Sequence, residues 1–184
     1  MIGIDQYENL PPLESAVRDA KAVGKLLRED YRYDVTTLEN PTRQEVLRNL
    51  LALRKKLERR DNLLIYYAGH GWLDEEADEG YWLPANADRE DPTHWISNDT
   101  ITAQLRAFRA KHVLVVADSC YSGKLVRGIN IGARPSDYYR RIAQRKARVV
   151  MASGGLEPVA DGGRTGHSVF SAAFLDARGQ NQGI

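Results

Sequence analysis

"HVLVVADSCYSG", residues 112–123, decides how this chain is read. The apolar run from Val113 to Ala117 has the look of a strand buried on both faces, and it stops at Asp118. Small and polar residues then surround Cys120, the chain's only cysteine. A second stretch, "NLLIYYAGHG" at 62–71, has the same form: an apolar run that ends with His70 between Gly69 and Gly71.

Outward from these runs the chain alternates strand and helix. "MIGI" opens with an apolar strand, and residues 14–31 follow with Ala16, Ala20, Val23 and Leu27 at helical spacing. "DVTTL" (34–38) is a short strand candidate. Thr42 stands three residues before Glu45, a capping box, ahead of a helix carrying Val46, Leu50, Leu53 and Leu57 on one face. "DTITAQLRAFRA" (99–110) predicts a third helix with Ile101, Leu105 and Phe108 in register. "ARVVMAS" (147–153) is a further strand, and "HSVFSAAFLDA" (167–177) a closing helix. Such alternation predicts the α/β class, a mostly parallel sheet sandwiched by helices. No internal repeat or linker divides residues 1–184, so a single domain is expected; the abrupt ends suit a fragment of a longer chain.

The 184 residues suffice for a real core, and a formal net charge of +1 gives no reason to expect nucleic acid or an anionic membrane as partner. One cysteine forms no internal disulfide, which favours a reducing compartment such as the cytoplasm. The apolar runs are too short to span a bilayer, and no signal peptide is visible.

In open parallel sheets, reactive groups gather beyond the carboxyl ends of the strands. If the two apolar strands are neighbours, His70 and Cys120 emerge on one edge. A thiol needs a base or positive charge to become a thiolate, and an imidazole supplies it. Neighbouring glycines permit tight turns and close approach of a substrate backbone, and free amides there suit an oxyanion. Taken singly, a cysteine is commonly a small buried hydrophobe and a histidine structural. Their joint placement at strand ends points to chemistry.

"YYAGHG" followed by "DSCYSG" resembles the histidine and cysteine motifs of caspase-like peptidases, above all metacaspases and their bacterial relatives. His70 stands 50 residues ahead of Cys120, the spacing of the caspase pattern. Asp118-Ser119 precede the cysteine where animal caspases carry Gln-Ala, which places the resemblance on the metacaspase side. The resemblance runs from "IGIDQYENLPPLESAVRDA" to "GHSVFSAAFLDA", the latter like the start of a small-subunit region. It implies a caspase-like three-layer α/β/α sandwich. It also implies a cysteine endopeptidase with Cys120 as nucleophile, His70 as general base and acid, and an oxyanion hole from the backbone N–H groups of Gly71 and Cys120. No third member of a triad is evident in the sequence.

Metacaspases cleave after arginine or lysine, and the resemblance assigns Asp19 and Asp118 to the pocket for that side chain. Two carboxylates suit a guanidinium through charge-assisted hydrogen bonds. A carboxylate closing a buried strand is costly unless paired, so Asp118 calls for a function. Arg18, beside Asp19, leaves specificity for acidic residues as an alternative. Ala68 stands where the family often carries a serine lining the same pocket.

Residues 74–91 hold eight acids and one arginine. Many metacaspases require calcium, but this stretch lacks an EF-hand pattern, and Arg127 replaces an aspartate of the calcium-dependent members. A solvated loop is the preferred reading, so neither metal nor cofactor is assigned, and calcium activation is left as an alternative. Residues 124–148 hold eight basic residues and one acid, and a basic-directed peptidase would find candidate self-cleavage sites at Arg127, Arg134 and Arg141. His94, His112 and His167 show no ligand spacing and are read as structural or exposed. The expected partners are protein or peptide substrates with basic residues. The rival class is a catalytically silent caspase-like binding or regulatory module.

Overall fold

Both apolar runs lie at the centre of a parallel sheet. The computed structural model describes residues 1–119, 147–153 and 166–176. Along the chain come β1 (Ile2–Gly3), α1 (Ala16–Tyr31), β2 (Leu38–Glu39), α2 (Arg43–Lys56) and β3 (Asn62–Ala68). Then follow β4 (Gly71–Asp74), β5 (Glu79–Trp82), β6 (Ile96–Ser97), α3 (Asn98–Ala107), β7 (His112–Asp118), β8 (Ala147–Ala152) and, as α4, Val169–Asp176. The main sheet has the order β2-β1-β3-β7-β8, every pairing parallel, and β3 and β7 run in register from Asn62 opposite His112 to Ala68 opposite Asp118.

The period of two along each strand builds the two outer layers. Leu63, Ile65, Tyr67, Val113, Val115 and Ala117 pack with Val46 and Leu50 of α2 and Ile101 and Leu105 of α3. Tyr66, Ala68 and Val116 pack with Ala16, Ala20, Val23 and Leu27 of α1, joined by Phe170 and Phe174 of α4. The result is the expected three-layer α/β/α sandwich. Thr42 caps α2 as its spacing predicts: its hydroxyl accepts from the Glu45 N–H while the Glu45 carboxylate accepts from the Thr42 N–H.

Two segments differ from expectation. The strand expected at 34–38 is reduced to Leu38–Glu39. Val35 instead packs into the α1 layer, so close over Gly24 that a Cβ there would lie 3.2 Å from it, and pairing with β1 begins only at Leu38, opposite Ile2. The acid-rich stretch 74–91 is not one solvated loop. Glu79–Trp82 is the middle strand of an antiparallel sheet, β4-β5-β6, and only the hairpin tip and the residues after Asp88 are exposed. Trp82 is 1% exposed because its ring stacks on Tyr67 at 4.2 Å, and that contact draws the segment onto the core.

The strand order also locates a crevice. From β1 the chain turns one way to β2, while β3, β7 and β8 follow on the other side. Loops leaving the carboxyl ends of β1 and β3 therefore diverge at the point where ligands bind in open α/β sheets.

Candidate active site

His70 lies in that crevice, two residues beyond β3, and its backbone is held on both sides. Its N–H donates to the Tyr7 hydroxyl at 2.8 Å, and its carbonyl accepts from the Tyr67 hydroxyl at 2.6 Å and from the Leu83 N–H at 3.1 Å. Gly69 is required by these same tyrosines. A Cβ there would lie 2.9 Å from the Tyr67 hydroxyl and 3.0 Å from that of Tyr7, so no side chain fits without moving groups that hold His70.

The imidazole is fixed as well. Its Nε2 lies 2.9 Å from the carbonyl oxygen of Pro11, in the loop after β1, and the Tyr7 ring packs against it at 4.8 Å. A carbonyl only accepts, so Nε2 carries the hydrogen and the lone pair of the neutral ring sits on Nδ1. The sequence showed no third member of a triad; the Pro11 backbone carbonyl takes that orienting place.

Gly71 opens β4, opposite Trp82. The Leu83 N–H bond to the His70 carbonyl sets the alternation of the ladder, so Gly71 is a non-hydrogen-bonded position whose N–H turns away from β5. An outward amide beside the imidazole suits an oxyanion. Cys120 lies outside the described residues, as do Arg127, Arg134 and Arg141. The chain enters Cys120 from Ser119, and since Ala68 pairs with Asp118, β3 and β7 end level on the edge that carries His70.

Asp19 and Asp118, 99 residues apart in sequence, come together under the α1–α4 layer. Asp118 has the same parity as Val116 and so faces α1, where Asp19 is buried at 0% exposure. Ser168 bridges them. Its N–H donates to Asp19 Oδ2 at 3.0 Å and its hydroxyl to Asp118 Oδ2, while it also caps α4 by accepting from the Ser171 N–H at 2.9 Å. Ser171 donates its own hydroxyl hydrogen to Asp118 Oδ2 at 2.9 Å, so it must accept from the Tyr66 hydroxyl, 2.5 Å away. Burial first, then the Asp118 carboxylate, pushes the Tyr66 hydroxyl far above its ordinary pKa and keeps it a donor.

The two carboxylates differ in what they leave open. Asp19 Oδ1 contacts His167 Nδ1, so both of its oxygens are engaged. Asp118 is 7% exposed, and its Oδ1 is buried without a partner among the described residues. A buried polar atom left unsatisfied costs about 1–3 kcal/mol and calls for an explanation. Arg18, beside Asp19 in the sequence, is exposed, and its guanidinium lies beside Gly166.

Of the histidines read as structural or exposed, His94 is exposed in a single helical turn, and His112 meets Asn62 at the opposite end of the strands. His167 belongs to the carboxylate cluster. Its partner is 148 residues away, beyond the reach of spacing arguments, whereas Ser168 and Ser171, three apart at a helix start, carried a readable N-cap signal. Among the described residues no three His, Cys, Asp or Glu side chains gather as metal ligands, and no helix is long and apolar enough to cross a membrane.

Comparison with known proteins matches residues 1–183 to the family model described as Caspase domain. Metacaspase-1 of Meyerozyma guilliermondii is 29% identical over 140 residues, covering 67% of this chain and 34% of that protein. Metacaspase-1B of Neurospora crassa is 26% identical over 140 residues, covering 67% and 33%. The chain thus spans about a third of the length of these relatives. A solved structure of a Geobacter sulfurreducens protein covers 99% of this chain and 82% of its own at a TM-score of 0.70 and 21% identity, a likeness of fold.

Proposed function

The chain belongs to the caspase-domain family, and from that membership we propose that it is a cysteine endopeptidase cleaving after arginine or lysine. The observation that carries this reading is the buried pair Asp19 and Asp118, clamped by Ser168 with Asp118 Oδ1 unpartnered among the described residues, beside a strand end whose imidazole keeps Nδ1 for a proton.

In this reading the Cys120 thiol gives its proton to His70 Nδ1, and the thiolate attacks the carbonyl carbon of the scissile bond. The oxyanion is met by the N–H groups of Gly71 and Cys120. Collapse breaks the C–N bond, and His70 returns the proton to the departing amine, leaving a thioester. Water, deprotonated by the same Nδ1, releases the acid and regenerates the thiol. Throughout, the Pro11 carbonyl stabilises the imidazolium formed at each step through the Nε2–H bond. The basic side chain before the scissile bond lies with its charge against Asp118 Oδ1, supplying the missing partner.

Fluorogenic peptides ending in arginine, lysine or aspartate, assayed with and without calcium, test this directly. Cleavage after arginine or lysine that disappears in Cys120→Ala and His70→Ala is expected. Cleavage after aspartate would overturn the pocket assignment, and silence throughout would leave a binding module. Arg127, Arg134 and Arg141 are self-cleavage candidates in the same reading, and an intact mass after prolonged incubation of active protein would remove them.

A further inference from the structure

A cavity of about 240 Å³ opens beside His70 and Gly71 on the side of the β4-β5-β6 sheet. Pro11, Leu83, Trp72 and Trp95 wall it, and Arg89 lines it too. Neither Asp19 nor Asp118 is among its walls; they lie with the α1–α4 layer. Trp72 is 37% exposed and tilts against Trp95 at 5.9 Å. Trp95 is locked by a 2.7 Å hydrogen bond from its Nε1–H to the Asp88 carbonyl and by the edge of Tyr81 at 5.3 Å. The apolar wall is therefore preformed. Arg89 is exposed and has no ion-pair partner among the described residues.

We propose that this cavity is the leaving-group subsite: it takes an aromatic or large aliphatic residue immediately after the scissile bond, and Arg89 takes an acidic residue following it. The inference rests on the peptidase reading. His70 must hand its proton to the departing amine, so the first residue of the leaving segment lies against the imidazole. The basic residue before the bond goes to the carboxylate pair. The walled space that begins at His70 and Gly71, and is free of those carboxylates, receives the other half. Fixed indole faces favour an apolar side chain with little ordering cost, and an unpaired guanidinium favours a carboxylate.

The test uses the full chain and two readouts. Tryptophan fluorescence follows binding of Phe-Glu-Ala, Phe-Lys-Ala, Gly-Glu-Ala and Gly-Lys-Ala amides with free amino termini, which mimic the leaving half and require no catalysis. Internally quenched peptides carrying arginine before the same four dipeptides report cleavage. Phe-Glu is expected to bind at least tenfold tighter than Gly-Lys and to be cleaved preferentially. Arg89→Glu, a surface change, is expected to reverse the preference between Glu and Lys, and Trp72→Ala to remove that for Phe. Equal affinities for all four peptides, with arginine peptides cleaved without regard to the following residues, would overturn the subsite and leave the peptidase. Discrimination in binding without cleavage of any peptide would overturn the peptidase reading and with it the leaving-group role, and leave a peptide-binding cavity.

Discussion

Asp118→Asn exchanges a buried carboxylate for an amide of the same shape, and the structure gives the sign of two separate effects. The hydroxyls of Ser168 and Ser171 both donate to Oδ2, so the amide must keep its oxygen there and turn its NH2 to the position of Oδ1. In the free protein that position has no partner among the described residues in either case, but the substitution removes a buried negative charge. Relief of about 1 kcal/mol is a modest expectation against the roughly 1–3 kcal/mol, or more with charge, of an unsatisfied buried group. At about 2–4 °C per kcal/mol for a chain of this size, Tm should rise by a few degrees.

Toward an arginine substrate the sign is opposite. The guanidinium loses its charge-assisted acceptor and meets two N–H donors instead. A hydrogen bond to a charged group is worth about 1.5–3 kcal/mol, which corresponds to roughly 10- to 150-fold in kcat/KM. The same pair of peptides with arginine and its neutral analogue citrulline separates charge recognition from shape: their ratio should fall toward one in the variant. Thermal melting and steady-state kinetics on one preparation decide the matter. A Tm lowered by several degrees with arginine cleavage unchanged would show that Asp118 is a staple for α4 rather than a wall of the specificity pocket.

Gly69→Ala forces a Cβ within 2.9–3.0 Å of two tyrosine hydroxyls already committed to the His70 backbone. Overpacking of about 1–3 kcal/mol should appear in urea unfolding, together with a lower kcat and an altered pH profile of cleavage. Unchanged kinetics would show that the tyrosines do not position the base. Arg148→Ala leaves the carbonyls of Leu105, Phe108, Ala110 and Lys111, which the guanidinium reaches at 3.0–3.2 Å, without their donor. A loss of about 2–4 kcal/mol is expected. Arg148→Lys should rescue little of it, because one ammonium cannot span four carbonyls; full rescue would refute that geometry. Glu45 has its pKa lowered below the ordinary 4.5 by the Thr42 N–H and then the Thr42 hydroxyl. Its contribution is therefore present above that value and lost as pH falls through the lowered one. Glu45→Gln should be less stable than the native chain at neutral pH, with the gap closing in acid; a pH-independent gap would refute it.

What could be read in the sequence was whatever one element announces by itself. The runs at 62–68 and 112–118 are apolar on both faces because helices cover both sides, and their parallel pairing followed from the helices between them. Thr42 and Glu45 are three residues apart, so their capping box was legible. The β4-β5-β6 sheet was not, because Trp82 and Leu83 sit among acids that mask their burial, and β6 is two residues long. At the site, His70, Gly71, Asp19 and Asp118 stood out by motif. Pro11 contributes a backbone carbonyl, which every residue possesses and no motif can mark. The His167 contact with Asp19 spans 148 residues, and only the packing of α4 on α1 brings them together.

The central sheet also divides the labour of the site. Side chains of even number on β3 and β7 face α1 and α4, and those of odd number face α2 and α3. Asp118 is thereby committed to the layer that holds Asp19 and Ser168. Tyr67, one residue out of phase with Tyr66, reaches the opposite side to hold the His70 carbonyl and stack on Trp82. The groups that would choose the substrate and those that would orient His70 as the base thus share no side chain and are joined through the rigid ends of β3 and β7. On the proposed function, changes in the carboxylate layer should alter which side chain is accepted without moving Pro11 from Nε2. Changes around Tyr7 and Gly69 should alter the base while leaving the preference for charge intact. The strand order makes this separation available, because the loop after β1 reaches His70 only where β1 and β3 are neighbours.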